Sequence, residues 1–269
     1  MSAQQKCPIS GQEMRSVFSA TVLGKYDVTY YYCEESGLLK TEKPHWLEEA
    51  YRDAIAETDT GLVHRNISKQ KRLEPILERL FHGRGKFLDV GGGYGLLTRL
   101  MRDIGFDCYS TDRFCKNLFA RRFEPGEGFK ATALFAFEVF EHIEDPLQFL
   151  TDVFDKYGCR TVIFSTLVYE KEIPGRDWWY YSFEAGQHIT FYQPRTLDLL
   201  AERLGCRCFA LVEDLHVITD RKISGLDRLL LSDRRLFKAL SLCTHRKRKN
   251  LSKIEEDHLL VKRELSGES

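Results

Sequence analysis

Residues 86–95 (K-F-L-D-V-G-G-G-Y-G) constrain the fold of this chain more than any other stretch. Phe87, Leu88 and Val90 read as a short apolar strand that carries the carboxylate Asp89 and runs into four glycines within five positions. Leu96, Leu97, Leu100 and Met101 then follow at helical spacing. Strand, glycine turn and helix in that order bring the backbone close to a nucleotide-like ligand. Glycine accepts positive φ there and has no Cβ to block the approach. The spacing narrows the ligand. Gly91, Gly93 and Gly95 read G-x-G-x-G, not the G-x-G-x-x-G of a dinucleotide site. No Lys-Ser or Lys-Thr pair follows, so the turn is not a P-loop. Asp89 would repel a pyrophosphate and suits a ligand with cationic groups.

With Asp89 in place the stretch resembles D-x-G-x-G-x-G, the first motif of the class I S-adenosylmethionine-dependent methyltransferases. Asp89, Gly91, Gly93 and Gly95 stand at its positions. The resemblance implies an α/β, Rossmann-like fold: a doubly wound, mostly parallel, seven-stranded sheet. It implies S-adenosylmethionine as cofactor. A second strand is expected over 106–110, ending at Asp112, where a carboxylate can accept hydrogen bonds from ribose hydroxyls. Capping of a helix near 116–123 is the other use of such an Asp. The resemblance places cofactor contacts at Asp89, Gly91, Gly92, Gly93, Tyr94, Gly95, Asp112, Arg113, Phe137 and Glu138.

Further strands are expected at 133–137, 160–165 and 206–212, with 129–130 as a stunted third strand. Pro146 and Pro194 open helices. A core of 85–220 is preceded by a helical cover, 44–84, in which Pro75 is a break and residues 59–66, with His64, Arg65 and Asn66, are a polar loop. A leucine-rich, basic helical insertion is expected over 221–256, and the final antiparallel strand and tail over 257–269. Residues 1–43 read as a β module with a hairpin turning at Gly24 and Lys25. Cys7 and Cys33 flank that hairpin as in a two-knuckle zinc ribbon, but Ser10 and Ser36 replace the second cysteines. Two thiolates rarely suffice for structural zinc, so a degenerate ribbon without zinc is expected, with Cys7 near Cys33.

The chain has 269 residues, 43% hydrophobic, with 40 Lys and Arg against 40 Asp and Glu. That balance offers no global basic field for nucleic acid or an anionic membrane. There is no apolar leader and no stretch of ~18 apolar residues, so no membrane span is expected. Eight scattered cysteines suit reduced thiols, and the expected location is the cytoplasm. Oligomeric state is not readable.

The fourth strand leads into F-E-V-F-E-H over 137–142, and G-Q-H-I-T-F follows at 186–191. Glu138, Glu141, His142 and His188 resemble the cation site of small-RNA 2′-O-methyltransferases and ubiquinone-pathway O-methyltransferases. Two carboxylates and two imidazoles can hold Mg²⁺ or Mn²⁺ with positions left for substrate hydroxyls. Without a metal, His188 or His142 is the candidate general base, and Glu138 lines the site. The aromatic run at 178–181 either stacks on a sugar or base or plugs its own loop. Together with C-K-N-L-F-A at 115–120, these motifs resemble methyltransferases of bacterial glycan biosynthesis. The implied reaction is O-methylation of a sugar or other small polyol. An RNA ribose methyltransferase using the basic run 246–249 is one alternative, and a non-catalytic S-adenosylmethionine-binding partner protein is another.

Overall fold

A computed structural model describes residues 5–51, 60–248 and 250–266. In chain order the strands are β1 (Arg15–Val22), β2 (Tyr26–Tyr32), β3 (Leu39–Thr41), β4 (Lys86–Val90), β5 (Asp107–Thr111), β6 (Ala133–Ala136), β7 (Thr161–Ser165), β8 (Thr190–Phe191), β9 (Arg207–Ala210) and β10 (Leu215–Thr219). The helices are α1 (Leu47–Ala50), α2 (Leu62–Phe81), α3 (Leu96–Asp103), α4 (Pro146–Tyr157), α5 (Pro194–Arg203), α6 (Gly225–Ser232), α7 (Arg234–Arg248) and α8 (Ile254–Ser266). The chain divides into two compact units. One comprises Met1–Glu57, Phe137–Lys156 and Arg160–Arg221; the other comprises Thr58–Ala136, Tyr157–Cys159 and Lys222–Ser269.

Six strands make the main sheet, in the order β5-β4-β6-β7-β10-β9. β4 is parallel to β5 and β6, and β10 is antiparallel to β7 and β9. This is the Rossmann-like class I arrangement, with six strands among the described residues rather than seven. The missing strand is the third. Residues 129–130 form no strand, because Pro125, Gly126 and Gly128 (φ +69°) precede them and interrupt extended pairing.

The closing antiparallel strand also differs from expectation. Residues 257–262 are helical, within α8, and the antiparallel partner of β7 is β10, directly after β9. The sequence of β10, L-H-V-I-T, is fully buried and rich in β-branched residues. By contrast Glu255, Glu256 and Asp257 sit in the first turn of α8, where the helix dipole favours negative charge. The helices α6 and α7 therefore follow the sheet instead of interrupting it.

Three local expectations change as well. No helix forms near 116–123. There Asn117 binds both backbone groups of Ala120, accepting its N–H and donating to its carbonyl, a local competition that favours turns. α2 begins at Leu62, so His64, Arg65 and Asn66 are helical, and Pro75 sits inside the helix without ending it. The first helical segment is described only to Tyr51; the part of the expected cover over 52–59 lies outside the described residues.

In the N-terminal sheet, ordered β1-β2-β3-β8, the two knuckles are near copies. Gly11 N–H donates to the Cys7 carbonyl and Gly37 N–H to the Cys33 carbonyl, each at 2.8 Å. Cys7 Sγ lies 3.3 Å from Ser36 Oγ, and Ser10 Oγ lies 3.4 Å from Cys33 Sγ. The ribbon is held by crossed thiol–hydroxyl pairs.

In the other unit, α8 is locked to α3. Arg102, 3% exposed, donates to both oxygens of Asp257 at 2.8 and 2.5 Å and to Asp107 at 2.8 Å. Burial pushes the Asp257 carboxyl up, but Arg102 and Arg99 outweigh it and hold the carboxyl below its ordinary value. Removing one partner of such a pair costs about 3–5 kcal/mol. A depressed carboxyl stabilises the fold above its unfolded pKa, near ~3.9, and that stability is lost as pH falls through the folded value. Urea unfolding of Asp257→Asn is therefore expected to show a loss of about 2–4 kcal/mol at pH 7 that shrinks below pH ~4. An unchanged midpoint at pH 7 would show that the pair is idle.

The basic run at 246–249 is partly consumed within the fold. Lys247 and Arg248 both pair with Glu78 of α2, and the buried Arg248 lies 3.8 Å from the centre of the Phe106 ring.

Candidate active site: a glycine cradle and a carboxylate–imidazole cluster

The glycine turn leaves β4 and enters α3. Gly91, Gly93 and Gly95 have φ of +73°, +55° and +81°, which accounts for their alternation in the motif. Gly92 is required for room: a Cβ there would lie 2.4 Å from Ser110 Oγ and 2.7 Å from Asp89 Oδ2. A Cβ on Gly93 would meet nothing within 4 Å, so this stretch of backbone is open to a ligand. The Tyr94 carbonyl accepts from Leu118 N–H and Phe119 N–H, tying the turn to the segment after β5.

Two carboxylates set the electrostatics of the cradle. Asp89 is buried, 4% exposed. Burial is the main cause that pushes its pKa up, to about 7; Lys69 opposes the rise and Asp112 adds to it. Asp112 is tied down more tightly than its sequence position suggests. One oxygen accepts from Gly93 N–H at 2.9 Å, and the other from Phe114 N–H at 2.7 Å and Cys115 N–H at 2.8 Å. It thus braces the glycine turn and caps the following turn, with lone-pair capacity remaining for another donor. Arg113 is exposed over the Phe114 ring, 5.5 Å from its centre. Ser110 Oγ, beneath Gly92, is buried without a hydrogen-bond partner among the described residues. Open glycine backbone, a buried carboxylate and an unpartnered hydroxyl fit a ligand that brings donors and positive charge.

The second constellation lies in the other unit. Phe137 is buried, and Glu138 after it has φ +55°, a left-handed backbone costing a non-glycine residue about 1–2 kcal/mol. Its N–H donates to Ser165 Oγ at 2.9 Å, which helps hold this conformation. Strain of this kind collects at functional sites. A 3-10 turn, Phe140–His142, follows. It is clamped by the short strand β8: Ile189 N–H donates to the Glu141 carbonyl, Tyr192 Oη to the Phe140 carbonyl and Thr190 Oγ1 to the Ile143 carbonyl.

This clamp brings Glu141, His142 and His188 together, with ligand atoms all within 4.8 Å of one another. Glu138 is outside that group, so the four-residue cation set expected from sequence contracts to three. Each imidazole is anchored through Nδ1: His142 to the Gln187 carbonyl at 2.9 Å, His188 to the Tyr180 carbonyl at 2.7 Å. Nδ1–H donation to a carbonyl leaves Nε2 as a lone-pair donor, the usual orientation of a ligating histidine. Burial lowers the pKa of both rings, favouring the neutral form; for His188 the neighbouring His142 lowers it further. Burial raises the Glu141 carboxyl, and its Oε2 has no hydrogen-bond partner among the described residues. Two neutral imidazoles beside an under-bonded buried carboxylate suit a divalent cation, or one proton shared among bases.

Most of the aromatic run at 178–181 plugs its own loop, with Trp178 packed against the cluster that holds Tyr180 and Tyr181. Tyr180 and Tyr181 are buried in an aromatic cluster with Tyr30 and Phe191, whereas Trp179 is 75% exposed. The plug also anchors a candidate site residue, because the Tyr180 carbonyl meets His188 Nδ1. Sequence reading missed Tyr180 and Gln187 in that role, along with Lys69 and Ser110 at the cradle. Backbone carbonyls and a buried lysine on a distant helix leave no local signal.

A family profile described as "Methyltransferase domain" matches residues 64–211, more than half of the chain. No curated protein matches. Among solved structures, the chain is similar to CalO1, a methyltransferase in calicheamicin biosynthesis in its S-adenosylhomocysteine-bound form (18% identity, 65% of this chain and 61% of that one, TM-score 0.40). It is similar to an O-methyltransferase family protein from Burkholderia thailandensis (12% identity, 67% and 68%, TM-score 0.43). It is also similar to the magnesium protoporphyrin IX methyltransferase ChlM from Synechocystis PCC 6803 (13% identity, 64% and 90%, TM-score 0.42). The chain spans about three fifths of the length of CalO1, and likeness at this level does not bear on the acceptor. The glycine cradle, the order of the sheet and the profile match agree: the chain belongs to the methyltransferase domain family and has its Rossmann-like fold.

Proposed function

We propose that this methyltransferase acts on a hydroxyl of a sugar or another small polyol, with a divalent cation, Mg²⁺ or Mn²⁺, held by Glu141, His142 and His188. The observation that carries the reading is the cluster itself: two imidazoles fixed through Nδ1, both lowered in pKa, beside an under-bonded buried carboxylate. S-adenosylmethionine supplies an electrophilic methyl group on a sulfonium. A cation in the cluster would supply Lewis acidity to an acceptor hydroxyl. The residues of the chain do the rest. Asp89 and the backbone at Gly91, Gly92, Gly93, Tyr94 and Gly95 receive the amino-acid part of the cofactor. Asp112 serves the ribose while bracing Gly93, and Arg113 flanks the cofactor. Glu138 presents its carboxylate from a strained backbone. With no cation bound, Nε2 of His188 or His142 takes the proton that the acceptor hydroxyl loses.

An RNA acceptor is less well supported, since Lys247 and Arg248 of the basic run are engaged by Glu78.

Calorimetry with S-adenosylhomocysteine tests the cofactor half. Asp112→Ala is expected to weaken binding at least tenfold, because three backbone N–H groups lose a charged acceptor worth ~1.5–3 kcal/mol each at most. Titration with Mn²⁺ alone tests the other half: heat that Glu141→Gln abolishes supports the cation, and no heat leaves the imidazoles as bases. Cofactor binding unaffected by Asp112→Ala would remove the ribose assignment.

A further inference from the structure

The balanced charge of the chain conceals a segregated one. Residues 221–250 contain ten Lys and Arg and two Asp, a net of +8, so the other residues together carry −8. The basic segment is the helical pair α6 and α7. On α7, Phe237, Thr244 and Arg248 are buried, at spacings that share one helix face. Arg235, Ala239, Leu242 and Arg246 stand on the opposite face, and all are exposed. On α6, Leu231 is buried, whereas Leu226 and Leu229 are 58% and 53% exposed. Leu242 is 59% and Leu236 is 38% exposed. Leucines in water among long basic side chains are costly unless something covers them.

We infer that the α6–α7 pair docks this enzyme onto an anionic lipid surface. The charge excess is complementary to acidic headgroups, and the leucines reach the acyl boundary while Lys and Arg stems extend to phosphate level. Two copies packed symmetrically through this face would set like charges against each other, since Arg235, Lys238 and Arg246 are exposed on α7. RNA is a poor occupant too. Phe237, the segment's one Phe, Trp or Tyr, is buried, and RNA phosphates would leave Leu226, Leu229 and Leu242 uncovered. Both acidic residues are already engaged: Asp227 with Arg79, and Asp233 with the backbone N–H of Arg235 and Leu236 at the start of α7.

Flotation of the full chain with vesicles tests the inference, using phosphatidylcholine alone or with about a third phosphatidylglycerol at ~0.1 M salt. The expected result is at least about tenfold more binding to the anionic vesicles, falling steeply by ~0.5 M salt. Leu226→Glu with Leu229→Glu should reduce binding about tenfold or more, while thermal melting and S-adenosylhomocysteine affinity stay unchanged, since both leucines are exposed. Arg235→Glu with Lys238→Glu should do the same by removing charge. Equal binding to both vesicle types, no binding to either, or binding indifferent to the leucine changes would overturn the inference. So would capture of single-stranded RNA by a chain that ignores vesicles.

Discussion

Asp89→Asn is expected to yield a more stable protein near pH 8 that binds S-adenosylhomocysteine at least tenfold more weakly. The gain follows from burial, which raises this carboxyl to about 7 in the fold. A carboxyl with a raised folded pKa contributes stability below its unfolded pKa, and that stability is lost as the pH climbs through the folded value. Here the loss runs from pH ~4 to ~7 and amounts to about 4 kcal/mol at most, at ~1.4 kcal/mol per unit. Asn removes the ionisation, although Lys69 then loses a countercharge, so a net gain of about 1–3 kcal/mol is expected. The loss of affinity follows from the same burial, because a cationic ligand group stabilises the ionised form. Wild-type affinity should therefore rise between pH 6 and 8, with proton release on binding, and the variant should show neither effect. Urea unfolding at pH 8 and calorimetry in buffers of different ionisation enthalpy provide the readouts. A destabilised variant with wild-type affinity would refute the account of Asp89 on both counts.

His188→Ala should abolish most of the methyl transfer, by about 10²–10⁴ in kcat, with cofactor affinity unchanged. Its ring is one of only two imidazoles in the cluster, and Nδ1 is already committed to the Tyr180 carbonyl. Glu141→Gln separates the two chemistries. If a cation is used, Gln should cost about as much as Ala at His188, and Mn²⁺ binding should vanish with it. If His188 acts alone as base, Gln should cost tenfold or less, because the carboxylate then only tunes the ring. Full activity in His188→Ala would place the chemistry elsewhere.

The part of this architecture that is local in sequence could be read without coordinates. The glycine alternation was legible because left-handed backbone at residues 91, 93 and 95 admits little else. Glu141 and His142 were legible because they follow a core strand within six residues. His188 came only through a family resemblance, since the β8 clamp and the Tyr180 carbonyl that place it lie outside any local pattern. Asp112 directly follows the strand Asp107–Thr111, but its hold on three backbone N–H groups depends on a turn that no periodicity announces. The closing strand was misplaced because the short apolar run Leu259 to Val261 suits both periods; acidic residues at 255–257 decide for helix, and the buried L-H-V-I-T run supplies the strand. Segregated charge in 221–250 was counted into a neutral total.

Arg102 and Asp257 are 155 positions apart, yet both are buried and bonded to each other. During synthesis, α3 and β5 emerge long before their counter-ion exists. Until α8 has left the ribosome, Arg102 has Asp107 alone as a carboxylate partner, and the layer that carries the glycine turn lacks its last neutralising charge. Closing so long a loop is slow, since its entropy must be spent before the ion pair repays it. The cofactor-binding unit is thus expected to consolidate after translation of the helical tail, as a late event rather than a domain that folds while the chain is still growing.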